Sequence, residues 1–337
     1  MRCLVFLLLA APLFAVCTTA TTDCTEKVPL TEAGRYSLVY RSHALDKPNP
    51  AIRRGVIVIH GIGRNADWYF GSGMASAFLA GALEDSVVIA PRFAANQGGR
   101  CQDKLADGEI SWACAGWNAG EEAPGIPGLY SYALIDALVK RLADKNLFPN
   151  MKLIVVSGHS AGGQYVHRYL AATAVPDEVE APVRFVVANP SSYLYLDPVR
   201  PAASLKCDPV KGCAGEFAAF NGASGCATYD RWRYGLHNRT GYAAKATEEE
   251  LRSRMISRSV TYLLGEWDNL PGGSLDESCN GMAQGANRLA RGLAYQHYIN
   301  SRHGAKHTLV ISPACGHNAR CMFSTDPALP VMFPPYQ

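Results

Sequence analysis

This 337-residue sequence predicts an α/β fold, a mostly parallel central sheet flanked by helices on both faces. Short β-branched apolar runs recur along it, at Tyr36–Tyr40, Val56–His60, Val87–Ala90, Leu153–Ser157, Phe185–Ala188, Val260–Leu264 and His307–Ile311. The middle runs are nearly continuous hydrophobes rather than alternating ones, as in strands covered on both sides. Helical patterns lie between them. The length suits one large domain or two small ones, and with 48% hydrophobic and 18% charged residues the core can be sizeable. A net charge of +3 without a Lys/Arg block favours neither nucleic acid nor a membrane surface as partner.

In chain order, Arg2 precedes the apolar run Leu4–Val16, and small and hydroxyl residues follow it (Cys17-Thr18-Thr19-Ala20-Thr21). That is the layout of a secretory signal peptide, read as residues 1–20, with residues 21–337 forming one domain. The run is too short to span a bilayer, and no later stretch is long enough, so no stable membrane insertion is expected. The product is then secreted or periplasmic. After the strand Val87–Ala90, residues 96–128 form a long loop rich in Gly, Trp, Cys and Pro. Tyr132–Leu147 reads as a helix because Leu134, Leu138 and Leu142 share one stripe while Asp136, Lys140, Asp144 and Lys145 lie on other faces. Gln164–Ala174 and Met282–Asn300 read as helices too. Residues 191–255, a lid-like insertion between strands 6 and 7 (Phe185–Ala188 and Val260–Leu264), lack a core pattern of their own. Loops of such length are usually functional. Trp112, Trp117, Tyr193, Tyr195, Trp232 and Trp267 either line a site there or pack the loops.

The cysteines agree with export. Cys3 and Cys17 would leave with the leader, and neighbourly spacing pairs Cys101 with Cys114, Cys207 with Cys213 and Cys315 with Cys321. Elimination pairs Cys226 with Cys279 and leaves Cys24 over. There is no C-x-x-C and no His pair at ligand spacing, so no metal site is expected.

The pentapeptide Gly158-His159-Ser160-Ala161-Gly162 fits G-x-S-x-G. The pattern is weak alone, but here a buried strand ("LIVV") precedes it and a helix ("AGGQYVHRYL") follows, the strand–turn–helix context of a nucleophile elbow. A serine hydroxyl needs a base, and the base an orienting carboxylate. Downstream, "SVTYLLGEWDN" ends a strand at Gly265-Glu266-Trp267-Asp268, and "HTLVISPACGHN" ends the last strand at Gly316-His317-Asn318. Ser160, Asp268 and His317 thus follow one another at strand tips, where open parallel sheets carry their sites. Glu266 and Asp197 rival Asp268. His60, His159, His167, His237, His297, His303 and His307 rival His317, though none of them ends a strand outside the motifs already assigned. His60-Gly61-Ile62 puts a further backbone amide at a strand tip, where with the Ala161 amide it would bind an oxyanion.

In these four motifs, the HG turn, GHSAG, GEWD and CGHN, the sequence resembles a secreted member of the α/β-hydrolase superfamily over about residues 36–325, and more distantly polyester depolymerases and feruloyl-type esterases. The resemblance implies an α/β-hydrolase fold with Ser160 as nucleophile, His317 as base and then acid, Asp268 as its orienter, and the amides of Ile62 and Ala161 as oxyanion donors. It implies a serine hydrolase of carboxylic esters, small or polymeric, working through an acyl-enzyme with no cofactor. An amidase or peptidase, an acyltransferase, or a binding protein on the same scaffold are the alternatives. Oligomeric state is not legible in the sequence.

Overall fold

The computed structural model describes residues 16–272 and 274–336. Eight strands form one sheet: β1 (Thr25–Pro29), β2 (Tyr36–Arg41), β3 (Arg54–Ile59), β4 (Ser86–Pro91), β5 (Leu153–His159), β6 (Val183–Ala188), β7 (Ser259–Gly265) and β8 (Thr308–Ser312). Their order across the sheet is β1-β2-β4-β3-β5-β6-β7-β8. The β1–β2 and β2–β4 pairs are antiparallel and all others parallel. Every residue of β3, β4 and β5 is buried, which accounts for their unbroken apolar sequences.

The runs expected to be strands all are. β1 is an addition. Its sequence, TEKVP, buries only Val28, because it is an edge strand folded back on β2, and one apolar residue leaves no pattern to read.

Six helices matter to the site: α1 (Ala66–Leu79), α2 (Tyr132–Ala143), α3 (Ala161–Ala172), α4 (Glu248–Ser257), α5 (Arg288–His303) and α6 (Ala319–Ser324). α1 carries small or apolar residues on nearly every side and so shows no stripe. It is held between the sheet and α6, and its Ser76 hydroxyl donates to the Phe323 carbonyl at 2.6 Å. The helix expected from Met282 begins later, because Gly285 adopts a left-handed φ of 138° and Asn287 caps the new start by accepting from the Ala290 amide at 2.8 Å. At its far end Gly304 closes α5 in the αL conformation.

Five disulfides are present among the described residues. Four are the expected pairs Cys101–Cys114, Cys207–Cys213, Cys226–Cys279 and Cys315–Cys321. The fifth corrects the sequence reading: Cys24 is not left over but bonded to Cys17. The expected leader otherwise lies mostly outside the described residues. No helix among the described residues is long and apolar enough to cross a membrane.

The insertion 191–255 is not uniformly a lid. Tyr193, Leu194, Tyr195 and Leu196 are fully buried, with Tyr295 of α5 donating to the Leu194 carbonyl at 2.7 Å. α4 packs on α3, where Arg254 donates to the Ala172 carbonyl at 3.1 Å. Between these anchors, Lys206–Asp208 and Gly212–Ala214 pair as one short hairpin that packs on α5, with Cys213 Sγ 3.5 Å from the Leu293 carbonyl.

Candidate active site

Ser160 lies between the end of β5 and the first residue of α3, with φ 59° and ψ −119°. A non-glycine residue holds such a backbone only when its surroundings fix it. Here the Ser160 amide donates to the Ala188 carbonyl at 3.0 Å, and its own carbonyl accepts from the Gln164 amide at 3.0 Å. The flanking glycines are dictated by close approach. A Cβ on Gly162 would press on the carbonyls of Ile59 and His60, and one on Gly158 on the carbonyl of Gly162. The hydroxyl is thereby raised at the carboxyl end of the sheet.

The structure brings the three expected side chains together. His317 Nε2 lies 3.0 Å from Ser160 Oγ, and His317 Nδ1 lies 2.7 Å from Asp268 Oδ2. The histidine side chain is 24% exposed and that of Asp268 only 4%. A buried carboxylate needs compensation, and Arg288 Nη1 lies 3.6 Å from its other oxygen. The acid and histidine turns are tied directly, since the Trp267 amide donates to the Cys315 carbonyl at 2.9 Å.

The rivals are engaged elsewhere. Glu266 accepts from the Ala314 amide at 2.8 Å, and Asp197 from the Tyr298 hydroxyl at 3.0 Å. His60 accepts from the Phe93 amide at Nε2 (3.0 Å), so its proton sits on Nδ1 and goes to the Gly61 carbonyl at 2.9 Å. Burial holds the His60 pKa down at about 4. His307 meets the Tyr262 hydroxyl at 3.0 Å and is likewise pushed by burial to about 4. His159, the variable position of the elbow, does more than fill space. Its ring centre is 4.5 Å from that of His317, and its Nδ1 is 3.0 Å from the Tyr69 hydroxyl. Burial, reinforced by His317 and Arg288, drives its pKa well below the usual value, so a neutral ring backs the reactive one.

The loop after β3 lies against the serine: a Cβ on Gly61 would come within 3.5 Å of Ser160 Cβ. No acceptor among the described residues takes up the Ile62 or Ala161 amide, and both residues face the cleft beside Ser160. Arg64, at a left-handed φ of 54°, pins this loop. Its guanidinium donates to Asp103 at 2.6 Å, to the Ile62 carbonyl at 3.1 Å and to the Arg100 carbonyl at 2.8 Å. Arg64 and Arg288 went unnoticed in the sequence, because only the fold makes them neighbours of the motifs, and His159 reads there only as a rival base.

Ser160 separates two clefts. The larger, about 680 Å³, runs over Ile62, Ala161, Trp117 and Asn118 to Arg100 and Arg233. The smaller, about 260 Å³, is bounded by Trp68, Tyr69, His159, His317 and Asn318. The two long excursions of the sequence supply half of the residues that line the larger one. Of the six aromatics singled out, Trp117 lines it. Trp112, Tyr193 and Tyr195 are core residues, Trp232 donates to the Ala119 carbonyl at 3.2 Å, and Trp267 is 60% exposed. Among the described residues no group of His, Cys, Asp and Glu is arranged to hold a metal ion.

The alpha/beta hydrolase family model matches residues 56–331, and the chain belongs to that family. Among solved structures it is similar to poly(aspartic acid) hydrolase-1 from Sphingomonas sp. KT-1, at 23% identity and a TM-score of 0.56 over 88% of this chain and 95% of that one. It is also similar to LpqC, a poly(3-hydroxybutyrate) depolymerase from Bordetella parapertussis, at 21% identity and a TM-score of 0.57 over 88% of this chain and 86% of that one. At such identities the likeness is one of fold. A comparison with curated protein sequences finds no match.

Proposed function

We propose that this chain is an exported serine hydrolase of carboxylic esters. The observation that carries the reading is the run of contacts from Ser160 Oγ through His317 to Asp268, at 3.0 and 2.7 Å, beside two amides with no acceptor among the described residues. In this mechanism Ser160 Oγ attacks the ester carbonyl carbon while its proton passes to His317 Nε2. Asp268 accepts the Nδ1–H bond and so favours the imidazolium. The carbonyl oxygen, now anionic, takes the Ile62 and Ala161 amides, each such donor being worth roughly 3–4 kcal/mol to the transition state. His317 gives its proton to the leaving alcohol oxygen, and the acyl group stays on Ser160. Water, deprotonated by His317, then attacks the acyl carbon, and Ser160 recovers its proton as the acid departs.

Export is supported by the leader-like N-terminus and by five bridges that persist only in an oxidising compartment. The amide reading uses the same atoms, and the name of the Sphingomonas neighbour gives it a reason to be tested.

Two experiments test the proposal. A fluorophosphonate probe is expected to label the native protein at Ser160 and to leave Ser160→Ala unlabelled, since only an activated serine reacts. p-Nitrophenyl esters graded by acyl length, run beside feruloyl esters, polyesters and peptide amides, are expected to show turnover of esters ahead of amides. Ser160→Ala should lose on the order of a million-fold in kcat. An unlabelled native protein, or activity surviving in Ser160→Ala, overturns the reading.

A further inference from the structure

The larger cleft holds more positive charge than its walls neutralise. Arg233 reaches it from the insertion, donating through Nη1 to the Ala115 carbonyl at 2.8 Å and more distantly to Asn118 Oδ1 at 3.4 Å. Arg100, exposed at the rim, makes no side-chain hydrogen bond or ion pair with any described residue. Arg168 lies under the floor at 0% exposure and directs its donors to neutral acceptors: the Arg233 carbonyl at 3.3 Å, the Asn118 carbonyl at 3.1 Å and Ser192 Oγ at 3.0 Å. None of the three has a carboxylate at ion-pair distance among the described residues. Of the other buried arginines among the described residues, Arg54, Arg64, Arg200, Arg258 and Arg288 each have one, and Arg291 alone does not.

The acids nearby are already engaged. Asp276 lines the cleft, accepting from Tyr234 and Ser278 hydroxyls at 2.6 Å each, with the Arg291 charge close by. Burial alone would raise its carboxyl pKa, yet these bonds hold it below the ordinary value, so it is ionised, and its one charge is shared between Arg291 and Arg168. Glu121 and Glu122 lie in a separate depression on the outer side of Arg233 and bond to the Thr240 hydroxyl and the Gly128 amide. Arg233 and Arg100, which reach the cleft, would give a ligand carboxylate charge-assisted hydrogen bonds, and its negative charge would offset that of buried Arg168 beneath them.

The chemistry above says which part of a substrate lies there. His317 must protonate the leaving oxygen, and His317 bounds the smaller cleft. The alcohol therefore departs on that side, and the larger cleft receives the acyl group. Ile62 and Leu275 add apolar groups to the same cleft as the arginines.

We propose that the site selects acyl groups ending in a carboxylate, with Arg233 and Arg100 gripping the carboxylate above Arg168. The preferred substrates are then monoesters of dicarboxylic acids and esters built from them. This inference rests on the serine-hydrolase reading and narrows it. Three p-nitrophenyl esters of one acyl length test it: the mono-p-nitrophenyl ester of adipic acid, its methyl-capped neutral counterpart, and the cationic 6-aminohexanoate. The anionic ester is expected to exceed the neutral one in kcat/KM by on the order of tenfold or more, with the cationic one slowest. Added salt should narrow the spread. In Arg233→Gln, and in Arg100→Gln where no internal bond is lost, the anionic-to-neutral ratio is expected to fall toward one. Taking the ratio cancels any general effect of the substitution on the site. A native ratio near one, or a high ratio that both substitutions leave intact, overturns the carboxylate site while the hydrolase reading stands. No turnover of any of the three, with no fluorophosphonate labelling, overturns the hydrolase reading beneath it.

Discussion

Asp268 and Glu266 stand two residues apart on one turn, and their surroundings give them different work. Asp268 is buried against His317 and Arg288, whereas Glu266 braces the turn through the Ala314 amide. On the proposed mechanism Asp268→Asn forces the wrong imidazole tautomer and should lower kcat by about ten-thousandfold. Glu266→Gln keeps an acceptor oxygen for Ala314 and should cost less than about tenfold. Esterase assays of the two variants check this, and comparable losses in both would contradict the assignment. The sequence already held the residue types and their order, because each motif ends a strand whose apolar run is visible. Which carboxylate faces the histidine depends on the curl of the turn after Gly265, where a Cβ would fall 2.5 Å from the Cys315 carbonyl. That curl is a tertiary fact, and no local pattern encodes it.

At the scale of elements, the segment from β8 into α6 is the most constrained part of the site. Cys315 and Cys321 close a ring around His317, and Asn318 caps α6 by accepting from the Cys321 amide at 3.0 Å. The ring also presents the Cys315 carbonyl to the Trp267 amide, so it fixes the histidine relative to the acid. Substituting both cysteines by alanine should lower kcat by up to about a hundredfold, the cost of a misplacement of about 1 Å. The stability loss expected for so short a loop is about 2 kcal/mol. Removing Cys207 and Cys213, a bridge of equal span on a hairpin of the insertion, should cost similar stability with kcat preserved. Equal effects on kcat would reduce the Cys315–Cys321 bridge to a staple. Elements buried on both faces were legible in the sequence. β1 was not, because a single buried valine makes no pattern, and α1 was not, because a helix packed on two sides shows no polar face.

For the molecule as a whole, the buried histidines couple stability to acidity. Burial lowers the pKa of His60 and His307 to about 4 and that of His159 well below normal. In the unfolded chain each titrates near 6.5. Between these values the unfolded state binds protons that the folded state refuses, so stability is complete above about pH 6.5 and falls as the pH drops toward 4. The slope is at most about 1.4 kcal/mol per pH unit for each histidine. Asp136 and Asp230, whose carboxyls burial raises, act in the opposite direction. Urea midpoints at pH 7 and pH 5 measure the balance, and a lower midpoint at pH 5 is expected. An unchanged or higher one would mean that the raised carboxyls outweigh the histidines.

The bridge between Cys17 and Cys24 bears on how the chain matures. A cut after Ala20 falls inside the interval that this bond spans. Made after the sulfurs have joined, such a cut would free no leader. The severed piece would remain hanging from the body by its cysteine, and the exported molecule would be two chains. A cut ahead of Cys17 yields one chain whose amino terminus is sewn down beside β2, where the Cys17 amide donates to the Ser42 carbonyl at 2.9 Å. The second outcome is expected. On the proposed export, intact mass of the protein recovered outside the cytoplasm, read before and after reduction, should show one polypeptide beginning at or before Cys17. A polypeptide beginning at Thr21, or a small peptide released by reductant, would mean that processing precedes or ignores the bond.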